Sequence, residues 1–425
     1  MSGARPPEGD RHRSPEGRGH PTNRVRTVDL VYFDAGGGHR ASAIALKAAI
    51  VRAGLPWTVR LVNLREVLDP AQRFRRMTGM EPEDYYNKRI ARGWTVGLAQ
   101  ELKLLQAMIR WWHAPTVRLL QQHWLATEPD LVVSMIPNFN RGLRESLASA
   151  LPGVLFVTVL TDLADHPPRF WIEKGIDQHV VCGSAHAVQQ ARDAGLPATH
   201  IHASSGMLLR DDFYAPPPAD RAAERRRLGL DPHRPTGIVL FGGQGSKAML
   251  GIAKRLPDTQ LILACGHNAA LADALRALPA RAPRLVLGFT PDVARTMHLA
   301  DFFIGKPGPG SLSEAVQMRL PVIVVRNRWT LPQERYNAQW VQENGVGVVL
   351  SSFAKVDRAV AELVRDLPRY RASTERMLNR AVFELPGILR GVLQQADGAD
   401  ARGLAVYQPL QQAAAGVAGI RALQT

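Results

Sequence analysis

Short apolar runs recur along this chain, and each is followed by a mixed stretch long enough for a helix. One set falls at 28–33, 57–62, 131–135, 155–160 and 179–182, and a second at 237–241, 260–264, 285–287, 301–304, 321–325 and 347–350. Short runs of this kind are strand candidates. Their alternation with helical stretches predicts parallel sheets covered by helices on both sides. Between the sets lies Ala215-Pro216-Pro217-Pro218-Ala219, a stiff linker. The expected class is α/β, with two doubly wound, Rossmann-like domains facing each other across a cleft. Residues 1–26, rich in Pro, Gly, Arg and Ser, read as a disordered basic arm. Residues 27–215 form the first domain and 216–375 the second. Residues 376–425 form a C-terminal helix and tail, the helix (375–395) placed to pack back across both domains.

One insert interrupts the first set. Residues 85–126 hold six Lys or Arg (Lys88, Arg89, Arg92, Lys103, Arg110, Arg118), one acid (Glu101), and Trp94, Trp111, Trp112 and Trp124. Leu98, Leu102, Leu105, Ile109 and Trp112 fall on one helical face, which Pro115 is expected to end. An apolar stripe flanked by Trp and Lys/Arg suits a helix lying in an anionic membrane interface. The alternative is a stripe packed on the core with its charges solvated.

Glycine turns follow several strands. Asp34-Ala35-Gly36-Gly37-Gly38-His39 comes after the first, and Lys306-Pro307-Gly308-Pro309-Gly310-Ser311-Leu312-Ser313-Glu314 after the run ending at Ile304. A strand–glycine turn–helix unit brings bare N–H groups and a helix N-terminus to one point, which suits an anion. Gly36 to Ala41 fits the loose dinucleotide pattern, but the second strand ends at Asn63 where a ribose-binding acid belongs. His39 makes better sense as a general base, its neutral form favoured by the helix dipole; the plain alternative is an exposed helix-start histidine. Phe241-Gly242-Gly243-Gln244-Gly245-Ser246-Lys247 has the wrong spacing for a P-loop and reads as a diphosphate-facing turn or simply a helix start. Ser311-Leu312-Ser313-Glu314 has the form of a capping box, so Glu314 either caps a helix or accepts a ribose diol.

Charge narrows the partners without choosing one. Lys and Arg number 53 against 38 Asp and Glu, a formal net charge of +15, which favours anions: nucleic acid, an anionic membrane surface or a phosphorylated substrate. The cysteines, Cys182 and Cys265, give neither a disulfide framework nor zinc spacing, and no His-Glu-x-x-His occurs, so no metal is expected. No stretch reaches transmembrane length and the N-terminus lacks a secretory apolar region.

Gly-Gly-Gly-His-Arg-Ala-Ser-Ala (36–43) followed by Lys-Pro-Gly-Pro-Gly-Ser-Leu-Ser-Glu-Ala (306–315) resembles the monogalactosyldiacylglycerol synthases and processive diacylglycerol glucosyltransferases of glycosyltransferase family 28. The peptidoglycan N-acetylglucosaminyl transferase is a more distant likeness. The resemblance runs from about 27 to 385 and takes in Thr161-Asp162-Leu163, His166-Pro167, Gly242-Gly243, Gly288-Phe289, and Gln333-Glu334 with Asn337. It implies a GT-B fold and inverting, metal-independent transfer of a hexose from a UDP-sugar to a lipid hydroxyl such as that of diacylglycerol. No cofactor is expected beyond the UDP-sugar co-substrate. The enzyme would be cytoplasmic, held peripherally at the inner face of the membrane, with no nucleic-acid partner. By the same resemblance His39 is the base, while Gly37, Gly38, Asp162 and His166 lie on the acceptor side. Gly288, Phe289 and Thr290 hold the uracil; Gly242, Gly243, Gln244, Gly308, Gly310 and Ser311 line the diphosphate; Glu314 takes the ribose; Gln333 and Glu334 read the sugar. The family's Gly-x-Pro-x-Arg is here Gly206-Met207-Leu208-Leu209-Arg210, without the proline. Two rival readings are a UDP-sugar epimerase of the same architecture and a non-catalytic basic anion-binding protein.

Overall fold

The computed structural model describes residues 25–34, 38–69 and 98–397. Its first sheet is built from β1 (Arg26–Tyr32), β2 (Trp57–Asn63), β3 (Leu131–Ser134), β4 (Leu155–Val159), β5 (His179–Cys182) and β6 (Ile201–Ala203). Its second holds β7 (Thr236–Leu240), β8 (Gln260–Ala264), β9 (Arg284–Leu287), β10 (Phe302–Gly305), β11 (Val322–Val325) and β12 (Gly347–Leu350). Every pairing between them is parallel. The inner strands β3, β7, β8 and β10 are buried along their whole length, as strands covered on both faces require.

The spatial orders are β2-β1-β3-β4-β5-β6 and β12-β11-β10-β7-β8-β9. Each sheet reverses its winding once, between β1 and β3 in the first and between β7 and β10 in the second. At such a point the loops beyond the strand ends part and leave a crevice. The turns after β1, β7 and β10 all lie at these two places.

Three expectations change. β6 is an additional edge strand of three residues. The insert forms two helices, Leu98–Trp111 and His113–Thr127, and the break falls at Trp112 rather than at Pro115. Pro115 sits in the first turn of the second helix, where its missing N–H leaves no bond unmade. The terminal helix, 381–397, does not straddle both domains: Ala381, Val382, Leu385, Leu389, Val392 and Leu393 join the core of the first sheet beside β1 and β3. The chain therefore passes from the first domain to the second before residue 221 and returns near 377–380. The two crossings touch where Asn379 Nδ2 donates to the Met207 carbonyl at 2.8 Å. No described helix is long and apolar enough to cross a membrane.

Candidate active site in the interdomain cleft

β1 hands over to the helix Gly38–Arg52, and His39 is that helix's second residue. The residue as a whole is half-buried, with its ring Nδ1 at 3.0 Å from Thr161 Oγ1 and the Trp171 ring 6.0 Å away. Burial draws the imidazole down to about 4, opposed by a hydrogen bond to the Met135 backbone. The neutral form expected of a base is thus present, with burial as its principal cause. Gly37 lies outside the described residues, and Gly38 is exposed at the helix start.

Thr161 and Asp162 follow β4. Asp162 is 6% exposed, and its Oδ2 accepts from Trp171 Nε1 at 2.9 Å. Burial pushes this carboxyl up to about 7; Glu334 raises it further and Lys306 lowers it, both acting from the second domain. The loop that carries Trp171 is tied by Asp165, which sequence reasoning missed. Asp165 accepts the backbone N–H groups of Arg169, Phe170 and Trp171 at 3.0, 2.9 and 2.6 Å. His166 is half-buried and lowered, first by burial and then by Arg335 of the second domain. The neighbouring His186 stacks on Tyr336 of the second domain at 4.1 Å.

On the second sheet, the turn after β7 needs glycine: Gly242 has φ 77° and Gly245 φ 61°, in the left-handed region. The Gly243 carbonyl accepts from the His267 backbone and the Gln244 carbonyl from Asn268. After β10 the chain enters the helix Pro309–Gln317 with Gly308 as N-cap. A Cβ at Gly308 would meet Lys306 Cε at 3.2 Å, so the turn is closed down on this ion pair. Lys306 Nζ lies 2.8 Å from Glu334 Oε1, and Glu334 is 6% exposed. Asn337, fully buried, donates to the Pro307 carbonyl at 2.8 Å and fixes the turn. The first-turn N–H groups of Gly310 and Ser311 lie at the positive end of the helix dipole. Gln333 is half-buried beside Glu334 in the same short turn.

The capping-box alternative for Glu314 fails. Ser311 is already the third residue inside the helix, and no side chain caps it. Burial pushes the Glu314 carboxyl up to about 7, with Arg210 working against the shift and Asp212 adding to it. Arg210 also reaches the Pro291 carbonyl at 3.4 Å, so Glu314 shares a neighbour with the loop that carries Gly288, Phe289 and Thr290. Phe289 is 60% exposed and stacks on the His267 ring at 4.1 Å and 16°. Thr290 Oγ1 accepts from the Asp292 backbone at 3.2 Å. A cavity of about 350 Å³ between the domains, lined by residues including Ser184, Ser205 and Trp340, adjoins the chain crossings and includes neither His39 nor Lys306.

The insert splits the four tryptophans. Trp111 and Trp112 are 83% and 59% exposed, with ring centroids 6.3 Å apart. Leu105 and Met108 are exposed on the same helix. Trp124 corrects the membrane reading: it is fully buried, packed with Leu120 against the first sheet, and its Nε1 donates to Ser146 Oγ at 2.9 Å. Trp94 lies outside the described residues. Among the described residues no group of three or more His, Cys, Asp or Glu is placed to hold a metal ion.

Residues 238–385 match the glycosyltransferase family 28 C-terminal domain. The chain is 28% identical over 367 residues to monogalactosyldiacylglycerol synthase 1 of Arabidopsis thaliana, a match covering 82% of this chain and 66% of that protein. It is also 28% identical to a probable monogalactosyldiacylglycerol synthase 2 of Oryza sativa subsp. indica, over 89% of this chain and 83% of the relative. The MurG structure from Acinetobacter baumannii superposes with a TM-score of 0.55 at 14% identity, covering 87% of this chain and all of that one. That last likeness concerns the fold, and the paired sheets are those of GT-B proteins.

Proposed function

We propose, from the match of residues 238–385 to the glycosyltransferase family 28 C-terminal domain and the 28% identity to monogalactosyldiacylglycerol synthases, that the chain moves a hexose from a UDP-sugar to a lipid hydroxyl, that of diacylglycerol foremost. The observation that carries this reading is the meeting of two unlike half-sites. A neutral His39 and the buried Asp162 stand on one side, and a glycine turn with Lys306 and Glu334 on the other.

The hydroxyl oxygen attacks the anomeric carbon while His39 takes its proton. The bond to the diphosphate breaks, and the charge that grows on UDP is met by Gly310, Ser311 and the dipole of their helix. Attack from the face opposite the leaving group inverts an α-linked donor and yields a β-glycoside. Gly242, Gly243, Gln244 and Gly308 complete the diphosphate cradle, so this reading needs no metal. Glu314 takes the ribose, Gly288 to Thr290 the base, Gln333 and Glu334 the sugar, and Asp162, His166, Gly37 and Gly38 line the acceptor side. Attachment is peripheral, at the inner face of an anionic membrane, through Trp111 and Trp112.

The test is incubation with UDP-glucose, UDP-galactose and UDP-N-acetylglucosamine in the presence of membrane lipid extract, followed by mass analysis. A new hexosyl lipid is expected. An epimerised UDP-sugar with no glycolipid would mark the enzyme as an epimerase, and the absence of both would leave only anion binding.

A further inference from the structure

The residue pair after β4 divides its duties in an unusual way. In many histidine bases the ring is backed by a carboxylate, which holds the imidazolium once it forms. Here a carboxylate is available one residue away, yet Asp162 turns to the Trp171 indole at 2.9 Å. The group set against His39 is the neutral hydroxyl of Thr161, 3.0 Å from Nδ1. Thr161 is 8% exposed, so this contact is shielded from water.

We propose that Thr161 is the positioning residue of His39, holding the imidazole by its Nδ1 edge with a group that serves both of its charge states. With Nδ1 held against Thr161, Nε2 is the nitrogen left to take the substrate proton, so Nδ1 carries its N–H in both charge states and the hydroxyl accepts from it throughout. Thr161 therefore keeps the ring in place before and after proton uptake without fixing a charge beside it. The result is a base that releases its proton readily, in keeping with a buried ring drawn down to about 4. The Met135 backbone, bonded to the same ring, supplies a second tether. Asp162, freed from backing the histidine, stays in the field of Lys306 and Glu334 across the cleft.

This inference rests on His39 being the base, and the experiment separates the two. Turnover and donor KM are measured, with UDP-sugar and diacylglycerol in mixed micelles, for Thr161→Val, Thr161→Ser, His39→Ala and the Thr161→Val/His39→Ala pair. Loss of a hydrogen bond to a group that becomes charged predicts kcat lower by roughly 10- to 100-fold in Thr161→Val. Donor KM should hold, because Thr161 lies in the opposite domain from the glycine turns. Thr161→Ser, which keeps the hydroxyl, should recover most of the rate, and the double variant should be no slower than His39→Ala. If His39→Ala is slow while Thr161→Val turns over normally, the role of Thr161 falls and the base stands. Normal turnover in His39→Ala overturns both. A general packing role is shown instead if serine is as slow as valine. Should valine melt well below wild type, Thr161→Ala against Thr161→Ser reads the hydroxyl alone.

Discussion

Burial favours the uncharged forms of both His39 and Glu314, and the consequences run in opposite directions. The imidazole, drawn down to about 4, is a free base through the neutral range. Labelled His39 should show no ring titration by NMR between pH 8 and pH 5.5, and a midpoint near 6.5 would contradict the buried setting. Replacing it with alanine should lower turnover by roughly 10²–10⁴-fold, the usual contribution of a placed general base. UDP affinity, read by calorimetry, should stay unchanged. Glu314, raised to about 7 from the 4.5 of an exposed carboxyl, holds its proton more tightly folded than unfolded. Its contribution to stability is therefore present below pH 4.5 and lost as pH rises through 7. Glu314→Gln removes that loss, so melting curves of variant and wild type should diverge between pH 5 and pH 8, with the variant higher at pH 8. At pH 8, where the wild-type carboxyl is ionised, UDP should bind the variant more weakly, because a neutral amide replaces a charged acceptor worth about 1.5–3 kcal/mol. Unchanged UDP affinity would remove Glu314 from the ribose.

The helix Leu98–Trp111 carries the prediction that belongs to an element. It ends on two adjacent exposed tryptophans with Arg110 beside them, an arrangement suited to a headgroup layer. Trp111→Ser with Trp112→Ser should reduce co-sedimentation with anionic vesicles and leave UDP affinity intact. Wild-type binding should weaken as salt rises. Retention in the supernatant with every vesicle, at low and high salt, would remove the membrane contact. Elements were legible where one physical signal dominated. Strands such as Leu131–Ser134 and Gln260–Ala264 are buried on both faces, so apart from Ser134 and Gln260 at their ends their sequences are apolar. Ile201–Ala203 is a short edge strand, half of whose surroundings are solvent and turn, and no periodicity survives in three residues. Trp124 was misplaced because a stripe says that a face is apolar, not what covers it. Its spacing of four from Leu120 was the available sign of a core-facing edge. Asp165 and Trp171 were invisible as site residues, since their effect depends on a loop folding back on itself.

At the scale of the whole molecule, charges as well as packing at Leu163 join the two sheets. Asp162 feels Lys306 and Glu334 from across the cleft, so the state of one domain alters the other. A donor that engages Lys306 or Glu334 changes the field on Asp162. UDP bound to the second domain should therefore stabilise the whole chain by about 2.7 kcal/mol at a hundredfold excess over Kd and raise its single melting temperature. A scan in which only one of two separate transitions moves would show the domains to be uncoupled. The glycine turns, their strands and the pairing of two domains were readable from sequence because each depends on local chemistry. The position of the terminal helix was not, because its apolar face says only that it packs, not against which sheet.

That helix has a consequence for how the protein comes into being. A ribosome delivers residues 216–376, and with them the entire second sheet, before it delivers 381–393. The earlier-made first domain lacks part of its own interior until then. The helix's five buried Val and Leu side chains at about 1.5–3 kcal/mol each amount to as much as the net stability of an ordinary domain. The usual order of folding, N-terminal domain first, is thus reversed here: the second domain matures while the first waits with an open seam. Nascent chains arrested at residue 376 should protect the second domain from protease and leave the first exposed.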